Sequence, residues 1–177
     1  AGSTPLHAFS PYGLSKCFSS EIIQYFASIN NLAFGKFVIS NPFGPLEERR
    51  FTAYLMDSWK NHRTAEVRTP EYVRDNIHVD LLAYEYELFC RKVLSGSNII
   101  LRSVKSSPSG YVESQGEFAL RVANEIRNRS TLECKVELLE QRVFSEPKSR
   151  YNTDACAENH PQWNESAAWD AFSAFYI

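Results

Sequence analysis

The run Asn98-Ile99-Ile100-Leu101-Arg102-Ser103-Val104 constrains this chain more than any other stretch. Its centre is almost continuously apolar, where a strand with one wet face would alternate. Such a strand is buried on both faces, as in a parallel sheet with helices above and below. Helical patterns stand on either side of it. Leu81, Leu82, Tyr84, Leu88, Phe89 and Val93 form one that closes at Gly96, and Phe118, Val122 and Ile126 mark another over Glu113 to Arg129. Strands alternating with helices make the fold α/β.

The remaining pattern agrees. Leu14, Phe18, Ile22, Tyr25, Phe26 and Ile29 recur at helical spacing, with Ser10 as N-cap and Pro11 in the first turn, which predicts a helix over 11–30 ended by Asn30-Asn31. Lys36 to Ser40 reads as a strand, stopped by a turn-rich loop at Asn41-Pro42-Phe43-Gly44-Pro45. In open α/β sheets ligands sit beyond the carboxyl ends of strands, so this loop is either a binding edge or a plain turn. Phe51 to Asn61 predicts an amphipathic helix with Tyr54, Leu55 and Trp59 inward, followed by an extended piece at Ala65 to Thr69. Leu132 to Leu139 alternates as a strand and Ser145 to Trp163 is irregular. A last helix is expected over Glu165 to Tyr176, packing Ala168, Trp169, Phe172 and Phe175 or Tyr176.

Composition narrows the function. The net charge of −2 comes with no basic block, which argues against non-specific nucleic-acid binding, since that depends on neutralising phosphates. No apolar run approaches the roughly 18 residues that span a bilayer, and the N-terminus has no signal-peptide pattern. Cys17, Cys90, Cys134 and Cys156 are widely spaced, and Cys17 and Cys90 fall in apolar helical patterns. They read as reduced core residues of a cytoplasmic protein, and the sequons at Asn128 and Asn164 then carry no meaning. His7, His62, His78 and His160 have no metal-ligand spacing, so no metal is expected.

Tyr12 and Lys16 are four residues apart and share one helix face. A phenol beside an ammonium ionises more readily, and such a tyrosine can exchange a proton with a substrate hydroxyl. Taken alone, the spacing is more often that of two exposed residues at a helix start. Two further blocks change this. The chain resembles the C-terminal portion of the extended short-chain dehydrogenase/reductases, the NAD-dependent epimerase/dehydratase group acting on nucleotide sugars. Ser10-Pro11-Tyr12-Gly13-Leu14-Ser15-Lys16 resembles that family's S-P-Y-G-x-S-K, Asn41 to Pro45 its N-x-[YF]-G-P, and Arg74 to Asp80 its R-D-[FY]-I-H-V-D.

The resemblance implies the C-terminal part of a Rossmann-like doubly wound sheet, residues 1–45 and 71–105, and a small α/β substrate-binding lobe, residues 46–70 and 106–177. It implies Tyr12 as catalytic acid/base and Lys16 as the partner of the nicotinamide ribose, with Pro42 bordering the nicotinamide. Asn41 and Arg74 would meet the diphosphate of a nucleotide-sugar substrate. A second arginine from the late segment would join them; Arg150 is the candidate, with Lys148 and Arg142 as rivals. Asp75 and His78 read as structural. The cofactor implied is NAD or NADP, and epimerase, dehydratase and reductase remain open.

The departures matter equally. The seven glycines form no G-x-x-G-x-x-G turn, the motif that approaches a cofactor pyrophosphate. Eleven residues precede Tyr12, so the family's catalytic Ser/Thr has no counterpart, and Asn76 replaces the usual aromatic of the third block. The chain is therefore expected to be a truncated or separately encoded portion of an enzyme, not catalytic alone. It would need the missing N-terminal half, or a second copy of itself, to cover its edges. The alternatives are a non-catalytic nucleotide-sugar-binding or assembly module, and a decayed reading frame.

Overall fold

Ser10 opens the first helix, its extended backbone and its Oγ accepting from the Gly13 amide at 3.1 Å. Pro11 follows where no amide donor is needed. The computed structural model describes residues 8, 10–48, 50–95, 103–156 and 163–177. In chain order these form α1 (Pro11–Ile29), β1 (Phe34–Phe37), β2 (Asn41–Phe43), α2 (Phe51–Lys60), β3 (Ala65–Val67), β4 (Val73–His78), α3 (Val79–Ser95), β5 (Ser103–Ser106), β6 (Pro108–Ser109), β7 (Tyr111–Ser114), α4 (Gln115–Arg127), β8 (Val136–Leu138), β9 (Ser149–Arg150), β10 (Asp154–Ala155) and α5 (Glu165–Tyr176).

β1 and β5 pair in parallel, Phe34 opposite Ser103 and Phe37 opposite Ser106. Residues 98–102 of the apolar run lie outside the described residues. β4 is the hub of a second sheet, parallel to β2 and β9 and antiparallel to β7. β3 pairs β8, and β10 pairs β6, both in parallel. The α/β architecture with parallel pairing matches the expected class.

Two local readings differ. The strand over 36–40 ends at Phe37, and Asn41–Phe43, read as loop, is itself a strand. Pro42 is tolerated there because β2 is the outer strand beside β4, so its missing amide breaks no ladder. The turn begins only at Gly44, whose φ of +142° suits glycine; a Cβ there would stand 2.5 Å from Val79 Cγ2. The segment 145–163, read as irregular, contributes two short strands, β9 and β10.

The main core gathers α2, α4 and α5 around β2 and β3: Phe43, Leu55, Met56, Trp59, Val67, Phe118, Val122, Ile126, Trp169 and Phe172 are all buried. Of the inward residues expected on α2, Leu55 and Trp59 are buried, while Tyr54 is exposed and turns its hydroxyl to the backbone of Glu66. A capping box at Ser114 and Glu117 starts α4, which satisfies two amides that would otherwise be orphaned. Phe43 is the centre of the aromatic packing, its ring 5.2 to 6.0 Å from those of His78, Phe118, Trp169 and Phe172.

The helix α1 behaves otherwise. Ala27 is its one buried residue, and Leu14, Phe18, Ile22, Ile23, Tyr25, Phe26 and Ile29 are exposed. Cys17 and Cys90, expected in the core, are half-buried because the helices carrying them are covered on one side only; Cys134 is the buried thiol. All four are free. No helix among the described residues is long and apolar enough to cross a membrane.

Candidate functional site

The capped first turn of α1 fixes Tyr12 and Lys16 at the rim of a cleft of ≈ 680 Å³. The Lys16 ammonium lies over the Tyr12 ring, 5.3 Å from its centroid, and Tyr12 is 71% exposed. The first residue of β2, Asn41, enters the same cleft, and the late strand β9 brings Arg150. Four of the six residues singled out in the sequence thus meet in one space, from parts of the chain more than a hundred positions apart.

Arg74 and Pro42 do not line that cleft. They line an adjoining pocket of ≈ 190 Å³ that shares Asn41 and Arg50 with it. Arg74 is buried, and its Nη1 donates to the carbonyls of Val73 at 2.8 Å, Lys148 at 3.2 Å and Pro147 at 3.3 Å. Its Nη2 reaches Glu146 at 3.3 Å, and the guanidinium stacks on Tyr72 at 4.3 Å. Burial and the neighbouring Arg150 hold its pKa below the usual arginine value, against the pull of Glu146. Through those bonds Arg74 fastens the 146–148 segment to β4, and the register places Arg150 beside it. The rivals Lys148 and Arg142 do not line the cleft; they pair with Glu71 at 2.7 Å and Glu140 at 2.8 Å, as Arg150 itself pairs with Glu146 at 3.6 Å.

Asp75 does comparable work one residue on. Buried, it accepts from the Gly110 amide at 2.8 Å through Oδ1 and from the Asn152 amide at 3.0 Å through Oδ2. Asn152 Nδ2 in turn donates to Val38 O at 2.8 Å and Pro108 O at 3.0 Å. The late segment is thereby locked to β1, β4 and β6, and Arg150 is held at the cleft. His78 Nδ1 accepts from the Asp80 amide at 3.2 Å at the start of α3, and burial lowers its pKa although Asp80 opposes this. Among the described residues no group of three His, Cys, Asp or Glu side chains could hold a metal ion.

The sequence reading missed Arg50 and Asn152. Arg50 stands at the entry to α2, lines both cavities and pairs with Glu48 at 2.8 Å. The signal available for it was the charged stretch Glu47-Glu48-Arg49-Arg50, one residue beyond the Asn41–Pro45 block. For Asn152 no local signal exists, because its partners lie far away in the chain.

A profile of the NAD dependent epimerase/dehydratase family matches residues 1–97. Nothing among curated protein sequences matches the chain. Among solved structures, dTDP-glucose 4,6-dehydratase from Bacillus anthracis in complex with NAD superimposes with a TM-score of 0.71 at 15% identity, covering 99% of this chain and 55% of that one. UDP-N-acetylglucosamine 4-epimerase from Methanobrevibacter ruminantium, in complex with UDP-N-acetylmuramic acid, gives 0.70 at 15% identity, covering 99% and 56%. UDP-glucose 4-epimerase from Stenotrophomonas, with bound NAD, gives 0.69 at 13%, covering 98% and 56%. The chain thus spans little more than half the length of each of these three structures. Three motif blocks in order, the parallel α/β fold and the matched profile place this chain in the NAD dependent epimerase/dehydratase family.

Proposed function

We propose that this chain carries the proton-transfer pair and the nucleotide-sugar surface of an NAD-dependent epimerase, dehydratase or reductase. The carrying observation is the convergence of Tyr12, Lys16, Asn41 and Arg150 on one cleft. Tyr12 takes a proton from, and returns it to, a substrate hydroxyl. Asn41 and Arg150 orient the diphosphate, for which a planar guanidinium fork is suited. Arg74 backs Arg150 as its neighbour across the β4–β9 pair, and it joins the diphosphate directly where a ligand displaces its carbonyl contacts.

The donor set of the cleft tests the cofactor. A hydroxyl and an ammonium at Tyr12 and Lys16 suit a ribose, with Pro42 nearby in the adjoining pocket. None of the seven glycines forms a pyrophosphate-approaching turn. These residues fit the nicotinamide-ribose end of NAD and not its phosphates. When bound, NAD supplies the hydride acceptor and donor. A second reading is a module that binds a nucleotide sugar through Asn41 and Arg150 without turnover.

The two readings part in one experiment. Supplied with the N-terminal half of a family member, the chain is expected to gain cofactor-dependent turnover that Tyr12→Phe removes. Binding of a nucleoside diphosphate by calorimetry, with no turnover under any supplementation, selects the module.

A further inference from the structure

Between β2, α2 and α4, the ≈ 190 Å³ pocket contains a residue that no motif assigned. Its polar lining includes Glu47, Arg74, Asn76 and Gln115, and Phe43 and Phe51 supply apolar walls. Whole small molecules occupy clefts of about 300–1,000 Å³, so this space admits one moiety of a larger ligand. Glu47 is the anomaly within it. Its Oε1 accepts from the Thr52 hydroxyl and, at 3.4 Å, from the Tyr176 hydroxyl. Its Oε2 is buried with no hydrogen-bond partner among the described residues. Desolvation raises the pKa of this carboxyl, against the Thr52 and Tyr176 bonds and the charge of Arg50. A buried acceptor left unpaired is costly to the fold, and a pocket is where that cost is recovered by a ligand.

We propose that Glu47 is the specificity-determining residue of this pocket, its unpaired oxygen accepting a hydrogen bond from an N–H or O–H donor on the ligand moiety that enters. The inference rests on the nucleotide-sugar reading above. Asn41 lines both the pocket and the cleft of Tyr12, so one ligand spanning them passes Asn41 and presents an end group to Glu47. That end group is a nucleobase, through ring or amino N–H, or a sugar, through hydroxyl O–H. The shared chemistry is a donor facing a carboxyl oxygen.

The test is calorimetric titration of the wild type and Glu47→Gln with uridine diphosphate, cytidine diphosphate and UDP-glucose. Gln keeps the size; with its one remaining oxygen held by the Thr52 and Tyr176 hydroxyls, its NH2 takes the place of Oε2 and the ligand donor it meets is rejected. If Glu47 reads the base, the uridine-to-cytidine preference changes about tenfold or more while the UDP-glucose-to-UDP preference holds; if it reads the sugar, the reverse occurs. Unchanged ratios, with wild-type binding intact, overturn the inference and leave the nucleotide-sugar reading standing. A lowered melting temperature with unchanged ratios assigns Glu47 to folding and also overturns it. Absence of all binding in a folded wild type overturns the nucleotide-sugar reading itself, and this inference with it. Should Glu47→Gln fail to fold, Glu47→Asp withdraws the oxygen by one methylene and is read by the same ratios.

Discussion

Tyr12 and Lys16 show how little a pair of residues means without its surroundings. On α1 they are two exposed side chains, one over the other, at the rim of a cleft; only under the proposed function does that cleft give them a task. Tyr12→Phe is expected to cost about 100- to 10,000-fold in turnover of the reconstituted enzyme, the range of a lost general acid–base, while nucleotide binding stays within about twofold. Parallel turnover and titration measurements check this, and turnover retained by the phenylalanine variant removes the assignment. Gly44 makes a backbone prediction at the same scale. At φ +142°, with Val79 Cγ2 2.5 Å from the position of a Cβ, Gly44→Ala is expected to destabilise the fold by about 1–3 kcal/mol, read by urea denaturation.

Among the elements, β4 is the one on which the site depends. Two of its buried polar residues tie down distant segments, Arg74 the 146–148 segment and Asp75 the amides of Gly110 and Asn152, and a third, His78, caps the adjoining start of α3. Asp75→Ala leaves two amides without an acceptor and is expected to cost about 2–6 kcal/mol, at about 1–3 kcal/mol each. Hydrogen exchange should show Asn152 losing protection well before the α4 core does; equal protection at both would refute this lock. His78 gives the junction a pH dependence. Burial holds its folded pKa below the ordinary histidine value of about 6.5, so the unfolded chain binds the proton more readily. Stability is therefore unaffected by this group above pH 6.5 and falls as pH drops below it toward the depressed value. Asp80, 3.7 Å from Nδ1, moderates the loss. Denaturation midpoints at pH 8 and pH 5 should converge in His78→Gln relative to the wild type.

At the scale of the molecule, two surfaces differ in kind. Around α2, α4 and α5 the apolar residues are buried and the aromatic rings interlock. Along α1, Phe18 is 59% exposed and Ile22 56%, on a face that nothing among the described residues covers. Such a face drives association. Sedimentation is expected to show concentration-dependent self-association of the chain, relieved by the double change Phe18→Glu and Ile22→Glu. A monomer at all concentrations would contradict it.

Helix positions were legible because they follow from local rules: Ser10 as cap, the apolar stripe expected over Glu113 to Arg129 and found as a helix over Gln115 to Arg127, its first two residues closing β7 instead, and Glu165 to Tyr176 to the residue. The motif blocks identified the family, since each is contiguous in the chain. The sequence could not tell that Asn41–Phe43 is a strand, because pairing with β4 is settled by residues more than thirty positions away. Nor could it divide the marked residues between two cavities, send the donors of Arg74 to backbone carbonyls, or leave one oxygen of Glu47 unpaired. Capping and periodicity act within a few residues and can be read along a line. Burial, register and the meeting of Tyr12 with Arg150 depend on contacts between distant segments, and those exist only once the chain has folded.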